Sequence, residues 1–363
     1  MKTSTFLTVA SLAASSSAIP MMNTTVRFDI ASEDASNVGS SDYGILQFAL
    51  TLEHLEAAFY SEAATKFSAA DFSSFNIPDL YNEILRLARD EAVHVDVLTS
   101  TLRSLQKPAP SPCKYTFPYT SAASFLALAA KIESVGVSAY AGAPTSLRNP
   151  AVLSMAAGIL SVEARHDAIL RAASGIAPYP SPFDTPLDFN QAWTLASQFI
   201  VPGSCPDDHA PFHLTTFPKL VLTGPSTGAP LQAGQSITLT TSTTADKSSE
   251  KKRHAQLHRR HGAGGARARR HTAHAHDRRV DGNIYAAFLT VQGAVLVEAV
   301  QTGDSVSTTV PDGVAGQVYV LLVRGDGDVT DANTLAGPAV LEVADVVGSG
   351  ATEDEGEEIV ERC

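Results

Sequence analysis

Glu91-Ala92-Val93-His94 and its later echo Glu163-Ala164-Arg165-His166 each set a glutamate three residues ahead of a histidine, inside runs with helical apolar spacing. On a helix this spacing stacks carboxylate and imidazole on one face, about one turn apart. Two further glutamates, Glu53 and Glu133, each precede a tyrosine by seven residues, Tyr60 and Tyr140. The chain therefore presents Glu, Glu-x-x-His, Glu, Glu-x-x-His on four successive helical segments. Glu53 and Glu133 lie 80 residues apart, and Glu91 and Glu163 lie 72 apart. Two helix pairs thus repeat one chemistry, as in a duplicated hairpin bundle whose longer crossover is the Pro-rich segment 107–118.

A dinuclear metal centre needs carboxylates to bridge and neutralise two cations, and imidazoles to fill terminal positions. Glu53, Glu91, Glu133 and Glu163 supply the first, and His94 and His166 the second. Four carboxylates inside an apolar bundle would be costly without cations, since neither desolvation nor mutual repulsion would be offset. A single Glu-x-x-His is common on solvent-facing helices and says little. Two of them, each on the helix after a Glu-x6-Tyr helix, point to metal. Oxygen and imidazole donors suit iron or manganese better than copper or structural zinc.

Around this set, Glu53 is preferred to Glu56 because Glu53–Tyr60 repeats the Glu133–Tyr140 spacing. Glu56 is expected to support the site or to be an exposed helix acid. Tyr60 and Tyr140 are expected to hydrogen-bond the ligands or take part in redox steps, against a plainer role as core tyrosines. His54 points off the ligand face and is expected to be exposed. Asp90, Asp96 and Asp167 are weighed as acceptors that orient the histidines.

The segment 41–205 resembles the ferritin-like superfamily, and within it the secreted fungal proteins described as stress-response or late sexual development proteins. The resemblance is carried by Leu52-Glu53-His54-Leu55-Glu56-Ala57-Ala58-Phe59-Tyr60, Asp90-Glu91-Ala92-Val93-His94 and Glu163-Ala164-Arg165-His166-Asp167. Tyr285-Ala286-Ala287-Phe288 and Asp331-Ala332-Asn333-Thr334-Leu335-Ala336-Gly337-Pro338 are similar to those proteins as well. It implies a four-helix bundle with a dinuclear iron or manganese centre, and fixes the architecture better than the activity. Because a pair of such ions can take O₂ or peroxide between them and cycle electrons, turnover of O₂ or peroxide, or oxidation of iron, is the chemistry expected. It does not imply a closed iron-storage cage, which an appended domain would obstruct. Association as a homodimer and attachment to a cell wall are further expectations.

With 363 residues the chain has room for about two domains. Its net charge of −12 argues against a nucleic-acid binder. That total hides an asymmetry, because residues 246–280 carry +8 and six of the eleven histidines, leaving −20 elsewhere. The N-terminus has a basic start at Lys2, a short apolar run and Ser16-Ser17-Ala18, which reads as a secretory signal over 1–18. That run is too short to span a membrane. A flexible segment over 19–40 follows, with Asn23-Thr24-Thr25 as a glycosylation acceptor. Cys113 and Cys205 sit in Pro-containing loops at helix ends, where a bridge would tie those ends together; a bridge from Cys363 to either is the alternative.

Helices are expected from Ser41, from Pro78 through Leu105, from Ser121 to Ala143, from Asn149-Pro150 to Ser174-Gly175, and a shorter fifth from Phe189 to Ile200. After residue 206 the pattern changes to short β-branched runs at 220–222, 237–243, 284–290, 295–300, 318–323 and 340–343. The fold class expected is therefore α+β: a ferritin-like bundle over 41–205, then an antiparallel β-sandwich over 206–245 and 281–346. The basic His-rich insertion 246–280 and the acidic tail 347–363 are expected to be disordered. Dibasic pairs such as Arg259-Arg260 also make the insertion a processing candidate. The competing class of function is a structural or binding protein of the cell surface, with the bundle as scaffold.

Overall fold

The structure is a computed structural model that describes residues 40–206, 214–225, 228–241 and 282–345. The expected signal, the arm up to residue 39, the basic insertion, the acidic tail and Cys363 lie outside the described residues. Four long helices come first: α1 (Ser40–Lys66), α2 (Leu80–Ser104), α3 (Ala122–Gly142) and α4 (Pro150–Ala173), followed by the short α5 (Phe189–Ala196). α1 packs chiefly on α2 and α3 on α4, and the two hairpins face each other through α1–α3 and α2–α4.

Local chemistry sets the helix ends. The Ser121 side chain accepts from Ser124 N at 3.2 Å, and Asn149 Oδ1 accepts from Ala151 N and Val152 N at 2.9 and 3.1 Å, with Pro150 at the first position. Asp188 and Gln191 cap α5 reciprocally. α2 starts at Leu80 rather than Pro78 because Asp79 adopts φ 57°, a left-handed conformation that breaks the turn before it. Asp42, in the first turn of α1, is fully buried. Its carboxylate accepts from Arg148 N and Asn149 N at 2.9 Å each, which locks the start of α1 to the start of α4.

An aromatic knot joins α1, the crossover and α3. Phe59 stacks on Phe125 with centroids 4.9 Å apart and meets Tyr60, Phe117 and Tyr119 edge-on. Phe59, Tyr60 and Phe125 are completely buried, each contributing about 2–3 kcal/mol of apolar burial. The crossover is fastened by the Cys113–Cys205 disulfide and by backbone bonds from Thr116 N to Phe199 O and from Val201 N to Lys114 O. α3 is the one described helix long and apolar enough by composition to cross a membrane, and just over half of that window is buried inside the protein.

The C-terminal domain contains β1 (Leu220–Gly224), β2 (Ser236–Thr241), β3 (Ile284–Thr290), β4 (Gly293–Thr302), β5 (Ser305–Thr309), β6 (Gly316–Arg324) and β7 (Thr334–Val343). All ladders between them are antiparallel, in the order β1-β2-β5-β4-β3-β6-β7. The two expected layers are present but form one continuous sheet. β4 pairs with β3 through Ala299 and with β5 from Val300 on, so it turns the corner between them. The ends nearly meet, since Leu231 bridges to Val343 and Gly337 N donates to Pro218 O, giving an almost barrel-like form.

β5 escapes the sequence reading because Val306 is its only apolar residue; it is joined to β4 by Gly303-Asp304 and buries Val306 and Thr308 on alternate positions. β7 begins six residues earlier than expected, because Gly337-Pro338 interrupts the apolar run without ending the pairing.

The sheet buries both faces at β6, which is why its sequence is continuously apolar. Val318, Val320 and Leu322 fill the barrel, whereas Tyr319, Leu321 and Val323 pack on the bundle. Polar ties fix this interface. Tyr319 OH donates to Ser134 O at 2.9 Å and lies 2.9 Å from Ser138 Oγ. Arg171, only 2% exposed, grips the Glu342 carboxylate with both terminal nitrogens, at 2.6 and 3.1 Å. Asn190 of α5 donates to Asp331 at 2.6 Å.

Candidate metal centre

The inward faces of α1 to α4 bring all six sequence-predicted ligands together. Glu53, Glu91, Glu133 and Glu163 are completely buried, and His94 and His166 are 8% and 4% exposed. They fall into two four-residue sets whose donor atoms lie within 4.8 Å of one another: Glu53, Glu91, His94 and Glu163, then Glu91, Glu133, Glu163 and His166. Glu91 and Glu163 belong to both sets. The repeat legible in the sequence thus becomes an approximate two-fold arrangement, with the Glu-x-x-His glutamates in the middle and one lone glutamate and one histidine at each end.

Distances inside the cluster fit ligands aimed at common points. His94 Nδ1 stands 3.3 Å from Glu53 Oε2, 3.4 Å from Glu91 Oε2 and 3.2 Å from Glu163 Oε1. His166 Nδ1 stands 2.9 Å from Glu91 Oε1 and 3.5 Å from Glu133 Oε2. None of these approaches makes a hydrogen bond. Twelve buried side-chain nitrogens and oxygens among the described residues lack a hydrogen-bond partner, and ten of them belong to Glu53, Glu56, Glu91, His94, Glu133, Glu163 and His166. Buried polar atoms are normally satisfied. Apart from His166 Nε2, which faces Asp90, these orphans lie on hard oxygen and imidazole donors of one cluster, and a pair of cations would satisfy them.

The two tyrosines cross-link the centre. Tyr60 of α1 donates to Glu133 of α3, and Tyr140 of α3 donates to Glu53 of α1 at 2.5 Å. Each therefore supports the glutamate of the opposite helix, not the one seven residues before it. Each leaves its glutamate one oxygen directed at the cluster, Glu53 Oε2 and Glu133 Oε2.

Without cations the charges are strained against one another. Burial pushes Glu56 and Glu163 well above the usual carboxylate range, and neighbouring carboxylates push them further. Burial, then Glu133, pushes Glu91 up to about 7. Burial also raises Glu53, but the charge of His94 beside it holds it below its ordinary value. Burial opposes a charge on either histidine, yet the surrounding carboxylates outweigh it, raising His94 strongly and His166 to about 12. The metal-free centre is a proton store, and cations would compete with those protons.

Glu56 is the residue that the sequence reading placed outside the ligand set. It is buried, 3% exposed, and turned toward the centre. Room for it comes from Gly136, where a Cβ would stand 2.8 Å from Glu56 Oε1 and 2.9 Å from Glu163 Oε2. The signal was present in the register. Three residues after Glu53 comes Glu56, and three residues after Glu133 comes Gly136, so one helix supplies a carboxylate where its counterpart supplies space.

The remaining expectations divide. Asp90 approaches His166 Nε2 at 3.5 Å and can orient that ring. Asp167 instead accepts from Ser134 Oγ at 2.7 Å, and Asp96 is exposed. His54 is not exposed but half-buried, with Nε2 2.9 Å from Pro110 O in the crossover.

Comparison with known proteins found the following similarities. Residues 41–175 match the family model described as a ferritin-like domain. The chain is 30% identical over 185 residues to Protein rds1 of Schizosaccharomyces pombe, covering 51% of this chain and 45% of that protein. It is 26% identical over 171 residues to the Desiccation-related protein PCC13-62 of Craterostigma plantagineum, covering 38% of this chain and 55% of that protein. The chain thus spans about half the length of these curated relatives. A solved structure of a conserved hypothetical protein from Mycobacterium tuberculosis aligns over 40% of this chain and 98% of its own, at 21% identity and TM-score 0.33.

Proposed function

We propose that this chain, whose residues 41–175 form a ferritin-like domain, holds a pair of iron or manganese ions and uses them on O₂, peroxide or ferrous iron. The observation that carries this is the pair of buried ligand sets sharing Glu91 and Glu163. Glu91 and Glu163 would reach both ions, Glu53 with His94 would serve one end, and Glu133 with His166 the other. Carboxylate and imidazole donors without a thiolate favour iron or manganese. Bound there, such ions would supply electrons to a small oxidant. The chain's own part is to hold the ligands and keep them dry. Tyr60 and Tyr140 fix the terminal glutamates, Asp90 stands 3.5 Å from His166 Nε2, and the apolar bundle excludes bulk water.

A role in stress protection is supported by the name of the desiccation-related relative. The wider resemblance to fungal development proteins supports expression in that setting. Secretion is supported by the signal pattern over 1–18 and by the Cys113–Cys205 disulfide, which suits an oxidising compartment. Elemental analysis of purified protein, followed by peroxide consumption and ferrous-iron oxidation after reconstitution, tests the reading. Metal-dependent turnover that disappears in Glu91→Ala is expected. Protein that takes up neither metal, or that takes it up and consumes neither peroxide nor ferrous iron, would overturn the redox assignment.

A further inference from the structure

A cavity of about 370 Å³ lies between the bundle and the sheet, and its lining includes Glu56 and Gly136, which lie against the candidate metal centre. Its walls are apolar, with Leu55 from α1, Ile132 and Val135 from α3, Leu195 from α5 and Val340 from β7. Its inner end is formed by Glu56 and Gly136, the buried pair that touches Glu163. Its outer end carries Lys131, Gln198 and Lys219, all exposed. Among the described residues neither lysine has an ion-pair partner.

A mostly apolar cavity lined by one buried carboxyl group, Glu56, and two exposed lysines, Lys131 and Lys219, has a definite preference. A ligand's charged end would lose its hydration beside buried Glu56, whose carboxyl is pushed well above the usual carboxylate range by burial, and it is attracted by Lys131 and Lys219. Its apolar part gains about 0.8 kcal/mol for each methylene it buries along the walls. The volume suits a chain of about eight to twelve carbons. A ligand charged at both ends, or a cation, would meet the wrong group at one end.

We infer that this cavity binds a small amphipathic monocarboxylate, of the size of decanoate, with its carboxylate between Lys131 and Lys219 and its alkyl end directed at Glu56. That the bound molecule is what the ions act on rests on the preceding reading. That the cavity binds it does not, because none of the lysines or apolar wall residues is a proposed ligand.

Calorimetric titration of decanoate into the metal-free full-length chain tests the inference. One saturable site is expected. The double charge reversal Lys131→Glu with Lys219→Glu should weaken decanoate by roughly tenfold or more, since two attractions become repulsions. Decanol, which lacks the charge, should change by less than about twofold. Val135→Trp, which fills the cavity, should weaken both. Absence of saturable decanoate binding, or equal affinity in the charge-reversed chain, overturns the inference even where Val135→Trp fails to fold. Reconstitution of the same preparations with iron or manganese separates the two readings: decanoate binding in a chain that takes up neither metal would sink the dinuclear centre and leave the pocket standing.

Discussion

Gly136 of α3 lies directly against Glu56 of α1, so close that a single methyl group on Gly136 would stand 2.8 Å from the Glu56 carboxylate and 2.9 Å from that of Glu163. Real Cβ atoms do not approach oxygen so closely. Gly136→Ala must therefore displace one or both carboxylates. The cost expected is about 1–3 kcal/mol in folding stability, with weakened metal uptake. Melting curves and metal titration of the variant check this. A chain with unchanged stability and unchanged metal affinity would mean that the two carboxylates are free to swing away.

Tyr60 and Tyr140 each hold the glutamate of the opposite helix. Removing either hydroxyl leaves a buried carboxylate oxygen without its partner. Tyr60→Phe and Tyr140→Phe are expected to lower metal affinity by roughly 10–100-fold each, the usual size of an outer support. The near two-fold symmetry predicts similar losses for both. Competition with a chelator measures them, and a loss confined to one variant would show that the two ends of the centre are not equivalent.

The metal-free centre has a definite pH signature. Glu91 rises from its ordinary 4.5 to about 7 on folding, so its contribution to stability is full below pH 4.5 and is lost as pH climbs toward 7. His166 rises from 6.5 to about 12, so its contribution is full below pH 6.5 and is lost above it. Both slopes have the same sign, and the metal-free bundle is expected to melt at lower temperature at pH 8 than at pH 5. Cations displace those protons, so the stabilisation added by metal should grow over the same interval. Scanning calorimetry with and without manganese reads both slopes. A metal-free chain that gains stability from pH 5 to pH 8 would contradict this charge assignment.

The Cys113–Cys205 bridge closes a separation of 92 residues. In the chain-entropy view, a loop of that size is worth about 4–5 kcal/mol. Cys113→Ser with Cys205→Ser is expected to lower stability by about 2–5 kcal/mol without altering the ligand geometry. Denaturant melts combined with metal stoichiometry check both halves of that statement.

Much of this architecture was legible before the fold. Glu-x-x-His twice, each after Glu-x6-Tyr, places six ligands on four helices because helical periodicity leaves them one shared face. The helix ends were legible wherever a short polar cap or a proline marked them, as at Ser121 and Asn149. Other features depended on distance in space. Helical spacing puts Tyr60 on the same side as Glu53, but helix pairing decides that its hydroxyl meets Glu133. Glu56 looked like one more helix acid until Gly136, 80 residues away, left it a place inside. β5 was hidden because strand pairing, not an apolar run, holds Ser305–Thr309 in the sheet.

Glu91 and Glu163 are proposed to be shared between two bound ions, and metal stoichiometry reads that sharing. Reconstituted full-length protein should contain about two iron or manganese ions per chain. Glu53→Ala and Glu133→Ala should each spare the ion at the opposite end, whereas Glu91→Ala with Glu163→Ala should abolish both. Failure of the unaltered chain to take up stoichiometric metal, or retention of both ions by that double variant, would contradict the account.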